Sequence, residues 1–227
     1  MEYFFDTREE ASRAAAERIS NALTRRMDGN GAASLVVSGG TTPAATFAEL
    51  AATPLEWSRV HVVMSDERWV PSDHEDSNEK LVRDTLLIDK AANATLLPVY
   101  SEDVQPDERS EQLQEELKRI PFPFACSLLG MGEDGHFASL FPDAEDLDQG
   151  LITDWQQLCM PVHTAASPHP RISLTLAAKS RSDEIVLLIF GDAKREVLEA
   201  AKTPGSKLPV SALLLQKRAP VSVLWAP

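Results

Sequence analysis

The chain has 227 residues, 43% of them apolar and 25% charged, which suits one sizeable soluble globular domain spanning residues 1–227. Its 22 Lys and Arg against 35 Asp and Glu leave a formal net charge of −13. That balance argues against nucleic acid or an anionic membrane as a partner. The acidic start MEYFFDTREE is unlike a signal peptide, and no apolar run nears the roughly 18–20 residues that span a bilayer. Cys126 and Cys159 fit neither a zinc motif nor a disulfide framework, so a cytoplasmic protein with two buried free thiols is expected.

Glu2 to Phe5 reads as a short strand. Asp6 or Thr7 caps a helix to about Met27, since Ala11, Ala14, Ala15, Ile19 and Leu23 recur at helical spacing and Asp28-Gly29-Asn30-Gly31 stops it. Ser34 to Val37 is a short apolar strand, followed by the turn Ser38-Gly39-Gly40-Thr41-Thr42. Pro43 suits the first position of the next helix, which continues through Phe47 and Leu50. Val60 to Met64 is a second strand, and Ser65 to Pro71 the loop after it. Asp76 or Ser77 opens a helix through Leu81 and Leu86, and Leu96 to Val99 is a short strand.

Asp107 to Arg119 is a polar helix with Leu113 and Leu117 inward. Phe122 to Leu129 reads as a buried strand, and Trp155 to Val162 as a mixed one. Ile172, Leu174 and Leu176 alternate with polar residues, as in a half-buried strand ahead of a short helix from Ala177 to Ser180. Glu184 to Phe190 is the most continuous strand, and Gly191-Asp192 opens a helix through Leu198. Leu208 to Leu215 is a last short helix and Val221 to Trp225 a closing strand. Strands alternating with helices predict an α/β fold: a mostly parallel, Rossmann-like sheet with helices on both faces, plus a small additional β-containing subregion.

Four turns carry the chemistry. In Leu128 to Pro142, LLGMGEDGHFASLFP, Gly130, Gly132 and Gly135 break the chain after a strand, around Glu133, Asp134 and His136. Open α/β sheets place ligand sites in such turns, and a histidine beside an acid suits proton transfer. A histidine satisfied within a loop fits this stretch equally well when it is taken alone. Gly39, Gly40, Thr41 and Thr42 at a helix start suit a phosphate cradle, although a plain capped turn suits the same residues.

Arg68, after Asp66 and Glu67, offers a two-pronged anion donor or a surface ion pair. Arg171 follows a Pro-His-Pro turn. Lys194 in a first helical turn opposes the macrodipole, a conflict that an anionic ligand would remove; a solvated side chain is the alternative. His61, His74, His163 and His169 lack metal-ligand spacing and are taken as structural or surface residues, with His163 and His169 near a site loop.

Taken together and in order, SGGTTP, SDERWVPSDHEDSN, LLGMGEDGHFASLFP and PRISLTL resemble the 6-phosphogluconolactonase family, of the glucosamine-6-phosphate deaminase / ribose-5-phosphate isomerase / CoA-transferase-like fold group. The resemblance covers nearly the whole chain. Phe137 stands where that family usually has Thr, and Ser173 where Thr is common. The resemblance implies hydrolysis of 6-phosphoglucono-δ-lactone to 6-phosphogluconate in the oxidative pentose phosphate pathway, with no metal and no organic cofactor. Separately, the lack of a long exposed apolar stripe favours a monomer. The resemblance makes His136 the base and then the acid, with Asp134 orienting it or the substrate hydroxyls. Phosphate lies against Gly39, Gly40, Thr41 and Thr42, with Arg68, Arg171 and Lys194 as charge partners. Asp66 and Asn78 orient sugar hydroxyls, and N–H groups around Gly132 and Gly135 are expected to hold the oxyanion.

Three rivals differ at readable positions. A deaminase carries an acid after the histidine, where Ser139-Leu140-Phe141 stand here. A sugar-phosphate sensor of transcription carries a DNA-binding domain, for which this chain has no room. A serine esterase needs GxSxG, which is missing.

Overall fold

The computed structural model describes residues 1–227, the Asn30 side chain excepted. Ten strands and eight α-helices alternate along most of the chain. In order, β1 is Glu2–Phe4, α1 Arg8–Asn30, β2 Ala33–Val37, α2 Ala44–Ala52, β3 Val60–Met64, β4 Asp66–Arg68 and α3 Asn78–Thr85. Then follow β5 Thr95–Leu97, α4 Pro106–Leu117, β6 Cys126–Leu129, α5 Leu147–Gly150, β7 Cys159–Val162 and β8 Arg171–Leu174. The last are α6 Leu176–Lys179, β9 Ile185–Phe190, α7 Asp192–Lys202, α8 Pro209–Leu215 and β10 Val221–Ala226.

Seven strands form one sheet in the order β1-β10-β9-β6-β2-β3-β5, parallel in every pair. Its central strands are largely apolar, β9 without interruption, because both faces are covered. Along β9, Val186 and Leu188 join one core while Ile185, Leu187 and Ile189 join the other, as a period of two requires. The first core is packed by α1, α2 and α4, the second by α7 and α8. Ala11, Ala15, Ala16 and Ala22 let α1 lie close on the sheet. Thr7 caps α1 by accepting from the Glu10 N–H at 3.2 Å.

A second, antiparallel sheet has the order β4-β8-β7. It is the expected extra subregion, but its first strand is the Asp66-Glu67-Arg68 segment read above as loop. Three polar residues gave no apolar signal; pairing with β8 makes them a strand. Other boundaries also move. α1 runs one turn beyond Met27, because Gly31 at φ 78°, not Gly29, ends it by donating to the Met27 carbonyl. Pro43 precedes α2 as its cap, β5 begins at Thr95, and β6 and β7 begin only at Cys126 and Cys159.

The β8 stretch is not half-buried. Ile172, Ser173 and Leu174 are all buried, and Leu176 belongs to α6, which Thr175 caps. Both cysteines are free and buried.

Phe137, the departure that could reshape a ligand pocket, is wholly buried in the second core and lines no part of the cleft described below. Lys179 lies 5.4 Å from its ring centre and is itself fully buried, donating to the Leu174 carbonyl. Burial pushes its ammonium down from 10.5 to about 7. Between those values the unfolded chain holds a proton that the folded chain lacks, so stability rises with pH across that window. Lys179→Met should abolish that slope and stabilise the fold by about 1–4 kcal/mol at pH 7. The Leu174 carbonyl keeps the Ser173 hydroxyl at 2.9 Å. Urea unfolding from pH 6 to 10 checks this, and an unchanged slope in the variant would remove Lys179 as its source.

Candidate active site

The turns after β2, β3, β6 and β9 all leave the carboxyl ends of parallel strands, where such sheets gather ligand sites. They meet at an open cleft of about 290 Å³. Eleven of the thirteen residues singled out from sequence line it: Gly39, Gly40, Thr41, Thr42, Asp66, Arg68, Asn78, Gly132, His136, Arg171 and Lys194. Ser38, Gly130, Met131 and Ala138 complete the lining. Asp134 and Gly135 are not part of the lining. Among the described residues no group of three or more His, Cys, Asp or Glu side chains could hold a metal ion.

The His136 turn is held by its own backbone. Gly135 N–H donates to the Gly132 carbonyl at 3.1 Å, and Gly132 N–H to the His136 carbonyl at 2.9 Å. Both N–H groups are therefore spent inside the turn, which removes them as oxyanion donors. Gly135 is at φ 78°, with its carbonyl accepting from Val210 N–H at 3.0 Å. A Cβ on Gly132 would lie 2.3 Å from the His136 ring, so glycine there makes room for the imidazole. Ala138, at φ 52°, takes a left-handed conformation uncommon for a non-glycine residue.

Asp134 Oδ1 lies 2.5 Å from His136 Nδ1 and also accepts the His136 N–H at 3.1 Å. An ionised Asp134 accepts only, which assigns the ring proton to Nδ1. Nε2 then carries a lone pair and makes no hydrogen bond among the described residues. The ring, 29% exposed, rests 4.2 Å from the Phe141 ring centre.

Strand register sets the charges. Arg68 and Arg171 are directly opposite across β4 and β8, and Asp66 is opposite Ser173. Like charges opposed in this way repel. Arg171 is steadied by Asp66 Oδ2 at 3.7 Å, by Ser167 Oγ at 2.9 Å and by the Phe141 ring at 5.2 Å. Arg68 Nη1 donates to the Asp76 carbonyl at 2.8 Å and to Asn78 Oδ1 at 3.0 Å. Lys194 adds a third cation from the first turn of α7; burial holds its ammonium below the usual value, and Glu133 offsets only part of that. Across the cleft, the N–H groups of Gly39 to Thr42 donate to no other group among the described residues.

Three residues escaped the sequence reading. Ser139 is buried and donates to Asp66 Oδ2 at 2.6 Å, while Ser65 donates to Oδ1 at 2.6 Å. Asp66 is thus tied from below as well as facing the cleft. Glu67 points away from the cleft and is fully buried. Alternation within DER was the available signal, once the segment is known to be a strand. His169 lines no part of the cleft; its Nε2 meets Asp76 Oδ2 at 3.1 Å, and His163 is exposed.

A Cβ on Gly39 would lie 1.8 Å from Asn78 Oδ1. Gly39→Ala should displace Asn78, weaken binding of a phosphorylated ligand and destabilise the fold by about 1–3 kcal/mol. Calorimetry and urea unfolding check both, and an unaffected variant would show that Asn78 is free to move.

Residues 6–225 match the family described as glucosamine-6-phosphate isomerases/6-phosphogluconolactonase. A protein named 6-phosphogluconolactonase from Caulobacter vibrioides is 43% identical over 98% of this chain and 95% of its own length. One of the same name from Pseudomonas aeruginosa is 37% identical over 96% and 91%. The crystal structure of a 6-phosphogluconolactonase from Shewanella baltica superposes with a TM-score of 0.96 at 35% identity, covering 100% of this chain and 97% of that one. With the family match over nearly its full length, this chain belongs to the glucosamine-6-phosphate isomerase/6-phosphogluconolactonase family.

Proposed function

We propose that this chain hydrolyses 6-phospho-D-glucono-1,5-lactone to 6-phospho-D-gluconate, a step of the oxidative pentose phosphate pathway. The observation that carries this reading is one unoccupied imidazole nitrogen set among three cations, in a chain of net charge −13. Such a cleft selects an anionic substrate and offers it a base. The names of the relatives add the substrate.

His136 Nε2 takes a proton from water as the water oxygen attacks the lactone carbonyl carbon. The tetrahedral intermediate collapses by breaking the bond to the ring oxygen. His136 returns its proton to that oxygen, which leaves as the hydroxyl of the product acid. Asp134 holds the Nδ1 proton and steadies the imidazolium. With the Gly132 and Gly135 N–H groups spent, the charge developing on the carbonyl oxygen falls to the cations of the cleft. The phosphate fits the free N–H groups of Gly39 to Thr42, with Arg68 and Lys194 as its charge partners.

Strands from both ends of the sequence, β1 and β10, pair in one sheet, which supports one domain over residues 1–227. The deaminase rival is disfavoured because Phe141, an apolar ring, packs on His136 where an acid is needed.

The lactone opens unaided, so the test is acceleration above that background. Wild type should accelerate it, and His136→Ala should lose about 10²–10⁴-fold in kcat while still binding 6-phosphogluconate. Asp134→Asn should lose about tenfold or more, since an amide can favour the wrong tautomer. Full turnover in His136→Ala would discard the base. Release of ammonia from glucosamine 6-phosphate would favour the deaminase.

A further inference from the structure

Glu67 takes no part in the chemistry above, yet it is the most heavily bonded carboxylate near the cleft. It sits on β4 between Asp66 and Arg68 and faces the other way, toward the start of α3. Oε1 accepts from the Arg68 and Asn78 N–H groups at 2.7 and 2.8 Å. Oε2 accepts from the Glu79 N–H at 2.7 Å and the Ser77 hydroxyl at 3.1 Å. No cation pairs with it among the described residues. Burial raises its carboxyl to about 7, while the three backbone donors pull the other way.

Two of the four donors belong to residues whose side chains line the cleft, Arg68 and Asn78. Those side chains meet at 3.0 Å, and Asn78 Nδ2 holds the Asp66 carbonyl at 2.8 Å. Arg68 Nε, by contrast, is buried without a partner.

We propose that Glu67 is a positioning residue: its carboxylate fixes the backbones of Arg68 and Asn78 and so aims the Arg68 guanidinium at the ligand's phosphate. The inference rests on the lactonase reading for the identity of the ligand. In Glu67→Gln one acceptor oxygen becomes an NH₂ facing two donors, either Arg68 and Asn78 or Glu79 and Ser77. One side of the clamp is lost while size is kept.

A purely structural Glu67 would lower stability and leave Arg68 acting as before, and a double-mutant cycle separates the two. The affinity of 6-phosphogluconate is measured by calorimetry for wild type, Glu67→Gln, Arg68→Ala and the double variant, with lactone hydrolysis alongside. Glu67→Gln should weaken binding by about tenfold and raise KM more than it lowers kcat. In the Arg68→Ala background the same change should cost less than about threefold. Losses that simply multiply, or wild-type affinity in Glu67→Gln, would overturn the proposal. Should Glu67→Gln fail to fold, Glu67→Asp enters the same cycle: it keeps the charge but draws it back by one methylene, and the same non-additivity is required of it. A wild type that binds 6-phosphogluconate without opening the lactone would sink the reaction and leave the cycle decisive for Glu67. A wild type that binds no 6-phosphogluconate would overturn both.

Discussion

Two guanidinium groups face each other across β4 and β8, and most of the local structure answers that opposition. Like charges at directly paired positions repel. Asp66 offsets Arg171, and the Phe141 ring gives the same guanidinium a π-face. Arg68 is given two oxygen acceptors. With one carboxylate at the cleft for two arginines and a lysine, a positive field remains inside an acidic body. Such a contrast focuses an anion on the cleft and repels it elsewhere.

Small residues make that arrangement possible. Serine hydroxyls at 65, 139 and 173 supply short donors and acceptors under the floor of the cleft, where larger polar groups would not pack. Glycines at 39 and 132 leave the volume that Asn78 and the His136 ring occupy. Two apolar core clusters lie on either face of the sheet, and the polar groups of the cleft gather at the carboxyl ends of the strands.

What could be read from sequence divides along physical lines. β2, β3, β9 and β10 were legible because strands covered on both faces are mostly apolar, with at most one polar residue each. Cleft residues in glycine-rich turns were legible because glycine pairs there with a group able to do chemistry. β4 was not, since Asp66-Glu67-Arg68 has no apolar period and becomes a strand only through a partner more than a hundred residues away. Gly132 and Gly135 misled for a related reason. Glycine signals freedom of the backbone, but not whether its N–H is already taken. Phe137 could have reshaped the pocket beside His136, yet its side chain lies wholly in the second core, where a short bridge pairs Phe137 with Leu140.

The order of the large sheet has a kinetic consequence. β2, which leads into the Gly39 turn, pairs with β3 and β6, while β9, which leads into the α7 turn bearing Lys194, pairs with β6 and β10. Each pairing is parallel and joins distant stretches of chain, the slow kind of contact to form. No early fragment holds both the glycine turn and the lysine. The cleft therefore appears only when β6 has found both neighbours, and a folding intermediate with half the sheet would be unable to retain a sugar phosphate.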